Sequence, residues 1–153
     1  MPEPIHAEVT VPLRADDAFT RFTRHLDRWW PRDYTWSKDV LEEIGMERRE
    51  GGLCFERGPH GFRCDWGRIL EWKPPGHLVF TWQIGPHREP VPDPERASIV
   101  HVTFAESAEG DSTHVVLQHT LFERHGEGAE AYREALASAH GWPFILECYA
   151  RTP

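Results

Sequence analysis

Three stretches of this chain alternate apolar and polar residues with period two. Leu78, Phe80, Trp82 and Ile84 are interleaved with Val79, Thr81 and Gln83. Val100, Val102 and Phe104 are interleaved with Ile99, His101 and Thr103. Val115, Leu117, His119 and Leu121 form the third apolar row. Successive side chains of a strand point to opposite faces, so each stretch has one face to bury. Strands of this kind belong to an antiparallel sheet with one face covered and the other wet. The cover has to come from elsewhere in the chain.

Two segments outside the strands can supply it. After an opening strand with Ile5, Ala7, Val9 and Val11 on one face, ended by Pro12, the residues Phe19, Phe22, Leu26 and Trp29/Trp30 recur at helical spacing up to Pro31. Asp16 and Asp17 suit the positive end of that helix. From Gly128 the chain is helical again, with Trp142, Ile145, Leu146 and Tyr149 on one face. Gly141 and Pro143 either kink this tail or start a separate last helix at Pro143. Between the helices lie further strands. Val40–Glu47 is a weak one, and Gly51-Gly52 is a turn. Leu53–Arg57 and Phe62–Trp72 flank the turn Gly58-Pro59-His60-Gly61. Pro86, Pro90, Pro92 and Pro94 make 85–96 a loop. Strand, helix, a run of antiparallel strands and a closing helix make an α+β fold.

The 153 residues suit one domain, 1–153, with no repeat or linker. There are 17 Lys+Arg against 25 Asp+Glu, a formal charge of -8. That disfavours nucleic acid and anionic membrane surfaces as partners. No apolar run approaches the ~20 residues of a membrane span, and the start has no apolar signal core. Three cysteines without CxxC spacing exclude a disulfide scaffold and a zinc ribbon, and a reducing cytoplasm is the expected setting. If Phe55 pairs with Cys64, the Cys54 and Cys64 thiols point apart. Cys148 reads as a helix packing residue. No GxSxG, HExxH, Walker A or GxGxxG motif occurs. His114, His119, His125 and His140 lack tetrahedral ligand spacing, so no metal and no cofactor is expected.

The stretch Gly51-Gly52-Leu53-Cys54-Phe55-Glu56, followed by Trp66-Gly67-Arg68-Ile69-Leu70-Glu71-Trp72-Lys73-Pro74-Pro75-Gly76-His77-Leu78-Val79-Phe80-Thr81-Trp82, resembles the START-like (SRPBCC) superfamily. The branch it is most similar to is the bacterial family named after the activator of Hsp90 ATPase. Phe22-Thr23 with Trp29-Trp30-Pro31, Val115-Val116-Leu117-Gln118-His119, and Gly141-Trp142 with Leu146 match in order. The departures are the proline-rich loop 85–96 and Pro143. The resemblance implies a helix-grip fold: a curved antiparallel sheet wrapped around a long C-terminal helix, with two short helices after the first strand. It also implies a space between sheet and helix, filled by side chains or open to an apolar guest.

On that reading Trp66, Phe80, Trp82, Phe104, Leu117, His119, Trp142 and Leu146 are the expected ligand-binding residues, and a small apolar molecule is the expected partner. The same side chains would serve as an ordinary packed core. His119, alone among ionisable groups on an apolar strand face, is the first acid/base candidate; otherwise it is a core histidine satisfied by a carbonyl, an indole or water. Glu71 is the second, facing inward if Gly67 makes a bulge. Without one, Trp66, Leu70 and Trp72 share the inner face and Glu71 is solvated. The implied functions are binding of a small apolar ligand, a cyclase- or dehydratase-like activity in the same space, or a co-chaperone-like interaction. An exposed sheet edge would also admit a homodimer.

Overall fold

The computed structural model describes residues 3–151. Seven strands form one antiparallel sheet: β1 (Ile5–Val11), β2 (Glu43–Met46), β3 (Leu53–Arg57), β4 (Arg63–Lys73), β5 (His77–Trp82), β6 (Ser98–Glu106) and β7 (Thr113–Thr120). Their order is β1-β7-β6-β5-β4-β3-β2, so the first and last strands are neighbours and the rest form a meander. The sheet curls into a half-barrel around the C-terminal helices, a helix-grip α+β fold.

Register explains the core. Ile5, His119, Val100, Phe80 and Ile69 lie side by side across β1, β7, β6, β5 and β4, and all five are buried. The next row is Ala7, Leu117, Val102, Leu78 and Trp72. His119 is thus the polar member of an otherwise apolar row.

β4 carries two irregularities. Cys54 faces Gly67 while Phe55 faces Asp65, so Trp66 is the extra residue of a bulge. A Cβ on Gly67 would come within 2.5 Å of the Thr81 carbonyl oxygen, which is why glycine is needed there. A second shift leaves Leu70 extra between Ile69 and Glu71. Leu70, which would face inward only in a strand without bulges, is exposed, and Ile69 is buried in its place. The β3–β4 register is also corrected, since Cys64 faces Glu56 rather than Phe55. Cys54 and Cys64 are not joined by a disulfide.

The helices depart from expectation in two places. The first helical stretch is broken into α1 (Ala15–Thr23) and α2 (Leu26–Trp29). Glu106 of β6 accepts the Ala15 N–H at 2.8 Å and caps α1. The tail is two short helices rather than one long one, α3 (Ala129–Ala137) and α4 (Trp142–Arg151), with Pro143 in the first turn of α4. Gly141 marks the break because a Cβ there would lie 2.0 Å from the Leu136 carbonyl oxygen. The strand expected over Val40–Glu47 is confined to Glu43–Met46. Leu121, expected on the inner face of β7, lies beyond the strand in the left-handed region at φ 64°, and Phe122 fills the interior.

Glu56 is a buried carboxyl group at the end of β3. It accepts the backbone N–H groups of Trp36 at 3.1 Å and Ser37 at 2.8 Å, fastening the loop before β2. Glu56→Gln replaces one acceptor by a donor facing a donor. A loss of about 1–3 kcal/mol in urea unfolding is expected. An unchanged midpoint would show that the loop is held by something else.

Candidate functional site

The concave side of the sheet holds two aromatic clusters. One lies at the α1 end, where Phe19 packs against Trp72 at 5.0 Å and Phe104 at 5.2 Å, and Phe22 against Tyr149 at 5.3 Å. The other is a group of four indoles. Trp30 stacks on Trp66 at 5.9 Å, Trp66 meets Trp82 at 5.9 Å, and Trp82 meets Trp142 at 5.3 Å. Phe80 joins at Trp66 and His119 at Trp82 and Trp142. The structure therefore gathers Trp66, Phe80, Trp82, His119 and Trp142 into one place, with Leu117 and Leu146 in the surrounding core. Phe104 belongs to the other cluster. Trp30, which sequence reasoning had left on the first helical segment, is at the centre. Its only signal was its place just before Pro31, where the chain turns extended and can lay the ring across the sheet.

Two of the four indoles are hydrogen-bonded inside the cluster. Trp142 donates its indole N–H to His119 Nδ1 at 2.9 Å. His119 Nε2 meets Ser98 Oγ at 2.7 Å, and Ser98 Oγ meets His125 Nε2 at 2.8 Å. Trp82 donates to Tyr132 Oη at 2.7 Å, and Tyr132 in turn donates to the Ile84 carbonyl at 2.7 Å. Trp66 Nε1 is different: it is buried and has no hydrogen-bond partner. His119 is fully buried, and desolvation, helped by the nearby His125 and His101, holds its pKa well below the ordinary histidine value. The neutral ring is the form that this chain of bonds requires. Burial likewise pushes the Tyr132 hydroxyl up. Ser98 was missed as the partner of His119 because it meets it through the pairing of β6 with β7, 21 residues away in sequence, and His125 was missed because it joins the network only through Ser98, from the turn after β7.

Glu71 stands apart. It is partly exposed, with Lys73 Nζ at 3.4 Å and His77 Nδ1 at 3.3 Å. It lies on the solvent side, away from His119, although β4 does carry a bulge. His114 is exposed and His119 buried, on opposite faces of β7. Among the described residues no group of three or more His, Cys, Asp or Glu is placed to hold a metal.

Two clefts lie beside the 85–96 loop, and no residue of the indole cluster lines either of them. The larger, about 560 Å³, lies between the β3–β4 hairpin and the 85–96 loop, lined by Trp36, Phe62, Cys64, Gly67, Gln83 and Pro92 among others. Trp36 donates to the Arg88 carbonyl at 2.8 Å, and Arg88 donates to the Thr35 carbonyl at 3.2 Å, tying the loop to the hairpin side. The smaller, about 240 Å³, lies under the same loop beside His125. No helix among the described residues is long and apolar enough to cross a membrane.

Comparison with known proteins agrees with the geometry. Txn09, described as an anthrahydroquino-gamma-pyrone synthase, is 34% identical over 100% of this chain and 97% of its own, with a TM-score of 0.70. CalC, a self-sacrificing resistance protein from Micromonospora echinospora, is 27% identical over 97% of this chain and 92% of its own, with a TM-score of 0.66. Protein MLL2253 from Mesorhizobium loti shares the fold at 14% identity and a TM-score of 0.62, over 98% of this chain and 96% of its own. No match is found among curated proteins. The family described as activator of Hsp90 ATPase homolog 1-like protein matches residues 12–148. With nearly its whole length matched and the curved sheet and closing helices in place, the chain belongs to the family of activator of Hsp90 ATPase homolog 1-like proteins.

Proposed function

We propose that this protein binds a flat, mostly apolar polycyclic molecule of polyketide type between the concave face of the sheet and α4. One observation carries the reading: the Trp66 indole N–H is buried in an aromatic group and has no acceptor. Trp29, Trp36, Trp82 and Trp142 all have one. A ring carbonyl would satisfy the donor, and the neighbouring indoles would stack on the ring system. The full-length likeness to a protein described as an anthrahydroquino-gamma-pyrone synthase supports the same ligand class. Burial of roughly 300 Å² of apolar surface contributes up to ~7 kcal/mol before association costs.

Emodin, a polycyclic quinone, is the probe. It is expected to quench tryptophan fluorescence saturably and to raise the melting temperature. Trp66→Phe keeps one aromatic ring and removes the five-membered ring that carries the N–H, and about a tenfold loss of emodin affinity is expected. Equal affinity in the variant, or no response from the wild type, would refute the assignment.

The likeness to a synthase favours a second reading, an enzyme that closes rings on the same guest. His119 is then the acid/base group, since it is the ionisable side chain in the indole cluster and Glu71 is outside it. A His119→Gln variant that still binds emodin and loses turnover of a poly-β-ketone substrate supports this; retained turnover rejects it.

A further inference from the structure

The direction of every proton in the buried chain of hydrogen bonds is set at Trp142. An indole N–H can only donate. His119 Nδ1, 2.9 Å from it, is therefore the acceptor, and the neutral ring carries its proton on Nε2. That proton goes to Ser98 Oγ at 2.7 Å. The Ser98 hydroxyl is left to donate to His125 Nε2 at 2.8 Å, which also faces the Ser98 backbone N–H at 3.3 Å. His125, whose pKa burial also lowers, then holds its proton on Nδ1. This nitrogen is buried and has no hydrogen-bond partner among the described residues. A buried donor without an acceptor is a standing cost that a bound oxygen would remove.

His125 lines the 240 Å³ cleft under the 85–96 loop, and Arg96 and Arg124 line it too. Both arginines are exposed, and neither has an ion-pair partner among the described residues. Glu89 and Asp93 also face the cleft as carboxylates and balance the charge of the two arginines; the loop backbone holds each of them, Glu89 accepting the His87 N–H at 2.7 Å and Asp93 the Glu95 N–H at 2.9 Å. Two unpaired guanidiniums and one N–H whose direction is fixed make an oxyanion site, because guanidinium groups match the two oxygens of a carboxylate. Pro86, Pro90 and Pro92 give the walls a stiff backbone. The volume is below that of typical drug-sized pockets, so the fitting acid has one ring or a short chain.

We propose that this cleft is a second binding site, selective for a small carboxylate and lined by Arg96, Arg124 and His125. It shares no lining residue with the indole cluster and does not depend on what that cluster binds.

Histidine-ring NMR on the full chain tests it, with benzoate as the probe and benzylamine as its cationic counterpart. The ligand-free protein is expected to show His119 protonated on Nε2 and His125 on Nδ1. Benzoate is expected to shift the His125 ring signals saturably, and benzylamine to leave them in place. The double variant R96Q/R124Q, altered only at exposed positions, is expected to keep its melting temperature and to bind benzoate about tenfold more weakly. A His125 proton on Nε2 would overturn the proposal. So would the absence of saturation at tens of millimolar benzoate, an equal response to benzylamine, or undiminished benzoate binding by the double variant.

Discussion

Trp142→Ala is expected to lower the unfolding free energy by about 3–5 kcal/mol. The side chain is fully buried where α4 meets the sheet, against Trp30, Trp82 and His119. Alanine leaves a cavity there and strips His119 Nδ1 of its donor. A domain of ordinary stability has about 5–15 kcal/mol in all, so this one change removes a large share. Trp142→Phe separates the two contributions. It keeps a smaller aromatic ring and loses the N–H with the rest of the five-membered ring, and about 1–3 kcal/mol is expected from it. Urea unfolding at neutral pH measures both. A loss below about 1 kcal/mol for the alanine variant would mean that α4 is not clasped by the sheet.

Mild acid is expected to destabilise the protein, with His119 as the main cause. Its folded pKa lies well below the usual histidine value because the buried ring resists charging. Above pH ~6.5 the ring is neutral both folded and unfolded, and no difference arises. Below that, the unfolded chain takes a proton that the folded one refuses. Stability then falls by up to ~1.4 kcal/mol for each pH unit until the folded pKa is reached. His125 is lowered by burial as well and adds in the same direction. In His119→Gln the slope between pH 6.5 and 5 should be shallower, since the ~1.4 kcal/mol per unit from this ring is gone. An unchanged slope would place the acid sensitivity elsewhere. At high pH the sign reverses: Cys64 is pushed up to about 11 and Cys54 is raised as well, so stability falls once the unfolded thiols ionise.

The inner rows of β5, β6 and β7 were legible because period two states both the element and one buried face; β5 departs from the single-faced reading, since Val79 and Thr81 on its other face are buried too, and Leu121 falls beyond β7. The break near Gly141 and Pro143 was legible as a choice between two outcomes, and the close approach of Leu136 decides it for two helices. β4 was not. Two extra residues shift its pairing, so Leu70 turns outward and Ile69 inward, and only Gly67 hinted at one of them. The gathering of Trp66, Trp82 and Trp142 followed from inward faces alone. The bond network around His119 did not, because Ser98 reaches it only through the offset between β6 and β7. Trp30 joins the cluster from a segment whose helical spacing named a buried face but not the surface it would meet.

β1 lies between solvent and β7, pairing Ile5 with His119 and Val11 with Thr113. The two strands are far apart in the sequence, at Ile5–Val11 and Thr113–Thr120. During synthesis the first strand emerges with no neighbour to hold it, and its partner leaves the ribosome more than a hundred residues later. Long-range closure of this kind slows folding, and it leaves an unpaired apolar ribbon exposed in the meantime. The meander from β2 to β6 can assemble as it appears, whereas closing the grip waits for the tail.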